Sequence, residues 1–146
     1  GLREYQAPVE YGRSEIIRKG KKIAVLGVGS MIPSCMEICK GLKDDGYDPT
    51  FVNARFVKPL DVDLLDELAK DHSLFVTVEE NVKSGGYGEH VSAYMEACHP
   101  EIRVLSAAVW DRFVPQGNVE SLRSRIGLGV EDIRQAIEDS EELREQ

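Results

Sequence analysis

One stretch, Leu74 to Val91, limits the fold more than any other part of the chain, and it reads LFVTVEENVKSGGYGEHV. Its apolar run, Leu74 to Val78, has the length and β-branched content of a strand buried on both faces, as in a parallel sheet. The glycines that follow allow positive φ and close backbone approach; they are Gly85, Gly86 and Gly88. Apolar residues then recur at helical spacing; they are Val91, Tyr94, Met95 and Cys98. The stretch therefore predicts a strand, a loop and a helix. The loop lies at a carboxyl strand end, where open α/β sheets carry functional loops.

Strand-like and helix-like segments alternate along the rest of the chain. Short apolar runs predict strands at 14–18, 23–28, 50–54 and 102–109. Helical spacing predicts helices after Pro33, after Asp61 as N-cap, at 119–125 and at 130–138. This alternation predicts a three-layer α/β/α domain with a largely parallel sheet over residues 14–146. Residues 1–13 are interpreted as a linker from a preceding domain, absent here, because the chain opens on an aperiodic arm without an initiator Met.

Composition excludes several classes of protein. A chain of 146 residues with 42% apolar and 30% charged residues is expected to form one soluble core. Its apolar runs fall short of the roughly 20 residues that span a bilayer, so we expect a cytoplasmic protein without membrane contact. A net charge of −8 argues against nucleic acid as a partner. The acidic C-terminal segment is interpreted as a solvated helix face.

The sequence offers no cofactor, metal or catalytic residue that we could assign. The cysteines and histidines show neither disulfide nor zinc-ligand spacing, and the pair Cys35 and Cys39 is interpreted as core packing. Gly27 and Gly29 follow a strand, but Ile32 stands where a dinucleotide fingerprint has its third glycine. We also find no nucleophile elbow, Walker loop or zinc-protease motif.

Glu79 and Glu80 leave two interpretations open. They could act as general acid and base, but neighbouring strand residues point to opposite faces, so only one of them faces a given cleft. The second interpretation is structural: one carboxylate caps the glycine loop or the next helix, and the other meets an Arg or Lys of a partner. A phosphate site in the glycine loop is disfavoured because Glu79, Glu80 and Glu89 repel an anion.

Four segments together carry a resemblance to a known family. They are KKIAVLGVGS at 21–30, VNARFVKPLD at 52–61, VTVEENVKSGGYGEHV at 76–91 and DRFVPQG at 111–117. In this order and spacing they resemble the C-terminal domain of 1-deoxy-D-xylulose-5-phosphate synthases, thiamine-diphosphate enzymes of the transketolase family. The resemblance extends from about Tyr11 over nearly the whole chain. It departs from the family at Pro115 and Gln116, where an acidic residue and a histidine are common.

The resemblance implies a five-stranded mixed sheet whose antiparallel strand is Ser14 to Arg18. It implies a full-length transferase that condenses pyruvate with glyceraldehyde 3-phosphate, releases carbon dioxide, and supplies isoprenoid, thiamine and pyridoxal biosynthesis. The family's thiamine diphosphate and magnesium ligands lie in two other domains, so this chain is expected to bind neither and to be inactive alone. Its expected partners are those domains and, in a homodimer, a second subunit.

We interpret eight residues as interface residues for these partners: Glu79, Glu80, Gly85, Gly86, Gly88, Asp111, Arg112 and Phe113. Two alternatives remain at this stage. The chain could be the matching domain of a transketolase or of a 2-oxoacid dehydrogenase β subunit, which would dock an acyltransferase core. It could also be a stand-alone regulatory domain that binds phosphate or nucleotide at the glycine loop.

Overall fold

The structure is a computed structural model that describes residues 13–55, 59–80, 86–109 and 129–145. Its strands are β1 (Glu15–Arg18), β2 (Lys22–Gly27), β3 (Thr50–Asn53), β4 (His72–Glu80) and β5 (Arg103–Val109). Its helices are α1 (Ile32–Asp44), α2 (Val62–Ala69), α3 (Tyr87–Cys98) and α4 (Val130–Glu145), and a 3-10 turn at Gly29–Met31 precedes α1. The predicted helix at 119–125 and the loop at 111–117 lie outside the described residues.

The strands form a five-stranded sheet in the order β1-β3-β2-β4-β5. The pairs β2–β3, β2–β4 and β4–β5 are parallel, whereas β1 runs antiparallel to β3. The mixed, mostly parallel sheet is therefore confirmed, and so is the antiparallel first strand. Because β1 is antiparallel, its first residues lie beside the end of β3.

Two apolar cores separate the sheet from its helices and confirm the three layers. On one face, Cys35, Ile38 and Leu42 of α1 and Ile133 and Ile137 of α4 pack on the sheet. On the other face, α2 and α3 pack on the sheet through an apolar set made up of Leu65, Leu68, Tyr87, Val91 and Met95. Burial of each such side chain contributes about 1.5–3 kcal/mol, so both helix layers are held mainly by apolar contact.

Strand β4 is longer than the apolar run that predicted it. The sequence indicated Leu74 to Val78, whereas the strand extends from His72 to Glu80. Glu79 and Glu80 pair with Ala108 and Val109 of β5. Backbone pairing does not depend on side-chain polarity, so two charged residues continue the strand beyond its apolar part.

Helix α4 departs from its prediction in length and in burial. The predicted helix ended at Glu138, whereas α4 continues to Glu145. Glu141 lies four residues after Ile137, on the same helix face, and is only 2% exposed. Its Oε2 accepts a hydrogen bond from Arg103 Nη2 at 3.3 Å. The interpretation of the acidic segment as a wholly solvated face was therefore wrong at Glu141.

Candidate functional site

The predicted site lies where the parallel strands end, here called the carboxyl edge. It comprises the ends of β2, β3 and β4 at Gly27, Asn53 and Glu80, together with the start of β1 at Glu15. Four of the predicted interface residues are described there, namely Glu79, Glu80, Gly86 and Gly88. The other four, Gly85, Asp111, Arg112 and Phe113, lie outside the described residues.

Glu79 caps helix α3. Its Oε1 accepts a hydrogen bond from the Tyr87 backbone N–H at 2.9 Å, and its Oε2 accepts one from the Gly88 N–H at 2.7 Å. The first N–H groups of a helix have no partner within the helix, and negative charge is favourable there. One carboxylate therefore satisfies two of these donors, which confirms the predicted capping role for one member of the glutamate pair.

The described glycines allow α3 to approach the sheet closely. A Cβ at Gly86 would lie 2.4 Å from Glu79 Oε1. A Cβ at Gly88 would lie 2.8 Å from both Thr77 Oγ1 and Glu79 Oε2, and 3.0 Å from Ser106 Oγ. Gly86 has φ of −75°, a value open to any residue. Close approach, rather than positive φ, is therefore why Gly86 and Gly88 are required.

Glu80 points to the opposite face of the sheet, as the alternation of the strand predicted. Its Oε2 accepts a hydrogen bond from Ser30 Oγ at 2.6 Å, next to the turn before α1. Glu80 is exposed, and no basic side chain pairs with it within the described ranges. A carboxylate with two oxygens has unused acceptor capacity after a single hydroxyl contact. Glu80 can therefore accept further hydrogen bonds from a cationic group.

An ion pair at this edge involves a strained backbone. Arg55 adopts φ of 57°, a left-handed conformation that costs an ordinary residue about 1–2 kcal/mol. Asn53 Oδ1 accepts a hydrogen bond from the Arg55 N–H at 3.0 Å, and Arg55 Nη2 donates to Glu15 Oε1 at 2.7 Å. Our sequence interpretation missed this turn. An Asn two residues earlier was its available signal, since Asn side chains stabilise such turns.

Asp61 is the N-cap of α2, as predicted. Its Oδ1 accepts a hydrogen bond from the Leu64 N–H at 3.2 Å. Its charge, like that of Glu79, faces the phenol of Tyr87. Burial, followed by the charges of Asp61 and Glu79, raises the pKa of Tyr87. Tyr87 therefore stays protonated as a core residue and is not poised to exchange a proton.

The arrangement limits the chemistry open to this edge. The two α3 donors that could bind a phosphate already bind Glu79, and a second carboxylate, Glu80, lies beside it in sequence. An anion there would have to displace a bound carboxylate. The geometry therefore disfavours the phosphate-binding alternative, and it does not fit a diphosphate group at α3. Glu79 and Glu80 also face opposite sides of the sheet, so they do not form an acid–base pair.

The described residues contain neither a metal cluster nor a membrane-spanning helix. No group of three His, Cys, Asp or Glu side chains is arranged to hold a metal ion within the described ranges. None of the helices in those ranges is both long and apolar enough to cross a membrane. A cavity of about 220 Å³ opens at the opposite end of the sheet and is lined by Lys21, Lys22, Tyr47 and Asp48, among others. It is remote from the predicted site, and none of the four described interface residues lines it.

Comparisons with known proteins agree on one family. The family described as "Transketolase, C-terminal domain" matches residues 12–133. The chain is 39% identical over 134 residues to 1-deoxy-D-xylulose-5-phosphate synthase of Lachnoclostridium phytofermentans, covering 91% of this chain and 21% of that protein. It is 39% identical over 137 residues to the synthase of Dictyoglomus thermophilum, covering 94% and 22%. The chain thus spans about a fifth of the length of these curated relatives.

Solved structures of similar fold include two transketolases. A split-gene transketolase in an inactive β4 tetramer matches with a TM-score of 0.74 and 29% identity, covering 91% of this chain and 43% of that chain. Transketolase from Campylobacter jejuni subsp. jejuni matches with a TM-score of 0.56 and 17% identity, covering 88% and 18%. The second likeness shows the fold alone.

Proposed function

Because the chain belongs to the transketolase C-terminal domain family, we propose that it is the C-terminal domain of a thiamine-diphosphate-dependent 1-deoxy-D-xylulose-5-phosphate synthase. The full-length enzyme would join pyruvate to glyceraldehyde 3-phosphate and release carbon dioxide. The observation that carries this proposal is the 39% identity to such synthases over nine-tenths of the chain. The proposal includes a cytoplasmic homodimer.

Within that enzyme, the domain would serve packing and assembly rather than chemistry. Glu79, Gly86 and Gly88 are engaged in joining α3 to the sheet, so they support the fold. The donors of α3 do not fit a diphosphate, and we derive no catalytic step from this chain. Thiamine diphosphate and magnesium would bind residues of the other domains. The similar split-gene transketolase chain forms an inactive β4 tetramer, which supports the proposal that this chain is inactive alone.

Glu80 would be the main polar contact to those partners. It is exposed at the carboxyl edge, with the Ser30 hydroxyl as its hydrogen-bond donor among the described residues. An Arg or Lys of another domain or subunit would complete its acceptor capacity. Gly85, Asp111, Arg112 and Phe113, which lie outside the described residues, would belong to the same interface.

Charge reversal in the full-length enzyme tests the assembly role. We expect Glu80→Lys to weaken dimerisation and lower turnover, because it places a cation against the partner's cation. Glu101→Lys is the matched control, since Glu101 is also exposed but lies in the turn before β5, at the other end of the sheet. Analytical ultracentrifugation measures dimerisation, and turnover is measured in parallel. Dimerisation and turnover equal to those of the wild type in both variants would contradict the assembly role.

Calorimetry tests whether the isolated chain binds the cofactor. We expect no saturable heat when the 146-residue chain is titrated with thiamine diphosphate and magnesium. Saturable binding would show that this chain holds a cofactor site of its own. That result would overturn the division of labour proposed here.

A further inference from the structure

The carboxylate of Asp61 receives hydrogen bonds from the helix that it caps and from two consecutive residues far earlier in the chain. Besides capping α2 through Leu64, its Oδ2 accepts a hydrogen bond from the Ser14 N–H at 2.7 Å, and its Oδ1 accepts one from Arg13 Nη1 at 3.2 Å. The Asp61 side chain is only 8% exposed. A carboxylate this buried needs several donors to offset its loss of hydration. A helix cap alone would have required only the Leu64 contact.

The two residues before β1 are bound on both sides. Ser14 Oγ also donates to the Ala54 carbonyl at 3.1 Å, and Arg13 Nη1 also donates to Asp63 Oδ2 at 3.1 Å. Four hydrogen bonds thus join Arg13 and Ser14 to the end of β3 and the start of α2. Arg13 is half exposed, so its ion pairs contribute modestly, whereas the partly buried hydrogen bond from Ser14 to Asp61 contributes more.

The position of these contacts sets the direction in which the chain enters the domain. Glu15 pairs with Asn53 in antiparallel register, so Ser14 lies at the carboxyl edge. Three strand spacings, or about 14 Å, separate β1 from β4, whose last residue is Glu80. The chain therefore enters β1 at the same edge that carries the proposed interface.

From these contacts we infer that Asp61 is a positioning residue that anchors the entering chain, holding Arg13 and Ser14 in one direction at the carboxyl edge. The same side chain starts α2 and fixes the approach to β1. The anchor itself is a property of this chain. Its consequence for assembly, a fixed orientation of the preceding domain against the edge that carries Glu80, rests on the proposed function.

Amide hydrogen exchange of the 146-residue chain, resolved by NMR, tests the anchor. In the wild type, we expect the Ser14 amide to be protected as strongly as amides within β1. In Asp61→Asn, the side chain keeps one acceptor for Leu64 but presents an amide N–H₂ to Ser14. Loss of that hydrogen bond should speed Ser14 exchange roughly tenfold or more, with little change at Leu64 and in α2. Asp63→Asn is the control and should leave Ser14 protected.

Two results would overturn the inference. One is exchange of the wild-type Ser14 amide at the rate of a free peptide, a measurement that holds even if Asp61→Asn does not fold. The other is unchanged Ser14 exchange in a folded Asp61→Asn chain.

Trypsin gives a second readout, because cleavage after Arg13 requires its side chain to leave Asp61 and Asp63. We expect that cleavage to be about tenfold faster in Asp61→Asn than in the wild type. Neither readout depends on cofactor or turnover, so a failed anchor is distinguishable from a failed assembly role.

Discussion

At the scale of the residue, Glu79 and Glu80 are sequence neighbours with different environments. The strand alternation turns Glu79 toward α3 and Glu80 toward the turn before α1. Glu79 accepts hydrogen bonds from two backbone N–H groups, whereas Glu80 is exposed and accepts one from the Ser30 hydroxyl within the part of the chain that the structure describes. Conservative substitution of each should therefore separate a fold-stabilising carboxylate from one that is free to meet a partner.

We expect Glu79→Gln to destabilise the chain by about 1–2 kcal/mol. The new amide N–H₂ would face a helix N–H group whose hydrogen bond a carboxylate oxygen of Glu79 accepts in the wild type. Glu80→Gln should lie within about 0.5 kcal/mol of the wild type, since its remaining oxygen still accepts the Ser30 hydroxyl. Urea unfolding monitored by circular dichroism measures both. Equal effects of the two substitutions would contradict the capping role of Glu79.

A second residue-scale prediction concerns Gly88. In a helix interior, alanine is more favourable than glycine by about 1 kcal/mol. Here, however, its Cβ would lie 2.8 Å from Thr77 Oγ1 and 3.0 Å from Ser106 Oγ. Overpacking of this kind costs about 1–3 kcal/mol, so we expect Gly88→Ala to be net destabilising. Gly129→Ala is the control, because the nearest atom, Asp132 Oδ2, lies at 3.5 Å. A Gly88→Ala chain as stable as the wild type would show that α3 can shift freely.

At the scale of the element, α4 is attached to the sheet by apolar contacts and by one buried charge. Ile133 and Ile137 join the core of α1, and Glu141 follows one turn later. Arg103 of β5 donates to the Ser140 carbonyl at 3.0 Å and to Glu141 at 3.3 Å. The ion pair therefore fixes the second half of a helix whose other residues there are mostly polar.

We expect Arg103→Met to destabilise the chain by about 2–3 kcal/mol, because it removes the cation from a buried carboxylate while Arg103 itself is partly exposed. Adding Glu141→Leu should recover much of the loss, since the buried charge that Arg103 had paired with is then gone. Lys70→Met is the matched control. Its pair with Glu67 is exposed on both sides, so the change should stay within about 0.5 kcal/mol. Urea midpoints of the three variants and the wild type decide the matter; failure of the double variant to regain stability would contradict the charge argument.

At the scale of the whole molecule, the sequence predicted what local patterns determine. Apolar β-branched runs located the central strands, and Asp61 before a helical pattern predicted its cap. It could not predict that a carboxylate at position 141 would be buried, because burial there depends on Arg103, some forty residues earlier. Nor could it assign Glu79 to capping rather than Glu80, since strand phase is set by the neighbouring strands. Local sequence patterns therefore predicted the strands and helices, whereas the contacts of the charged residues depend on partners from distant parts of the chain.

Two buried thiols make the stability of the whole molecule depend on pH. Cys35 and Cys39 lie in the core between α1 and the sheet, whereas Cys98 is exposed. Burial raises the pKa of Cys35 and of Cys39 from 9.0 to about 12 in each case. The folded chain therefore keeps both protons in a range of pH where the unfolded chain releases them. The stabilisation is fully present below pH 9 and is lost as the pH rises from about 9 toward 12.

We expect the free energy of unfolding to fall between about pH 9 and pH 11 with a slope that two thiols steepen, each by at most about 1.4 kcal/mol per pH unit. The double variant Cys35→Ala with Cys39→Ala loses core volume at every pH, but its slope should be shallower than that of the wild type. Slope, rather than absolute stability, is the readout, because the two chains differ only in these two thiols. Urea unfolding across this range measures it, and parallel curves for the two chains would mean that the core around α1 admits the thiolates without unfolding.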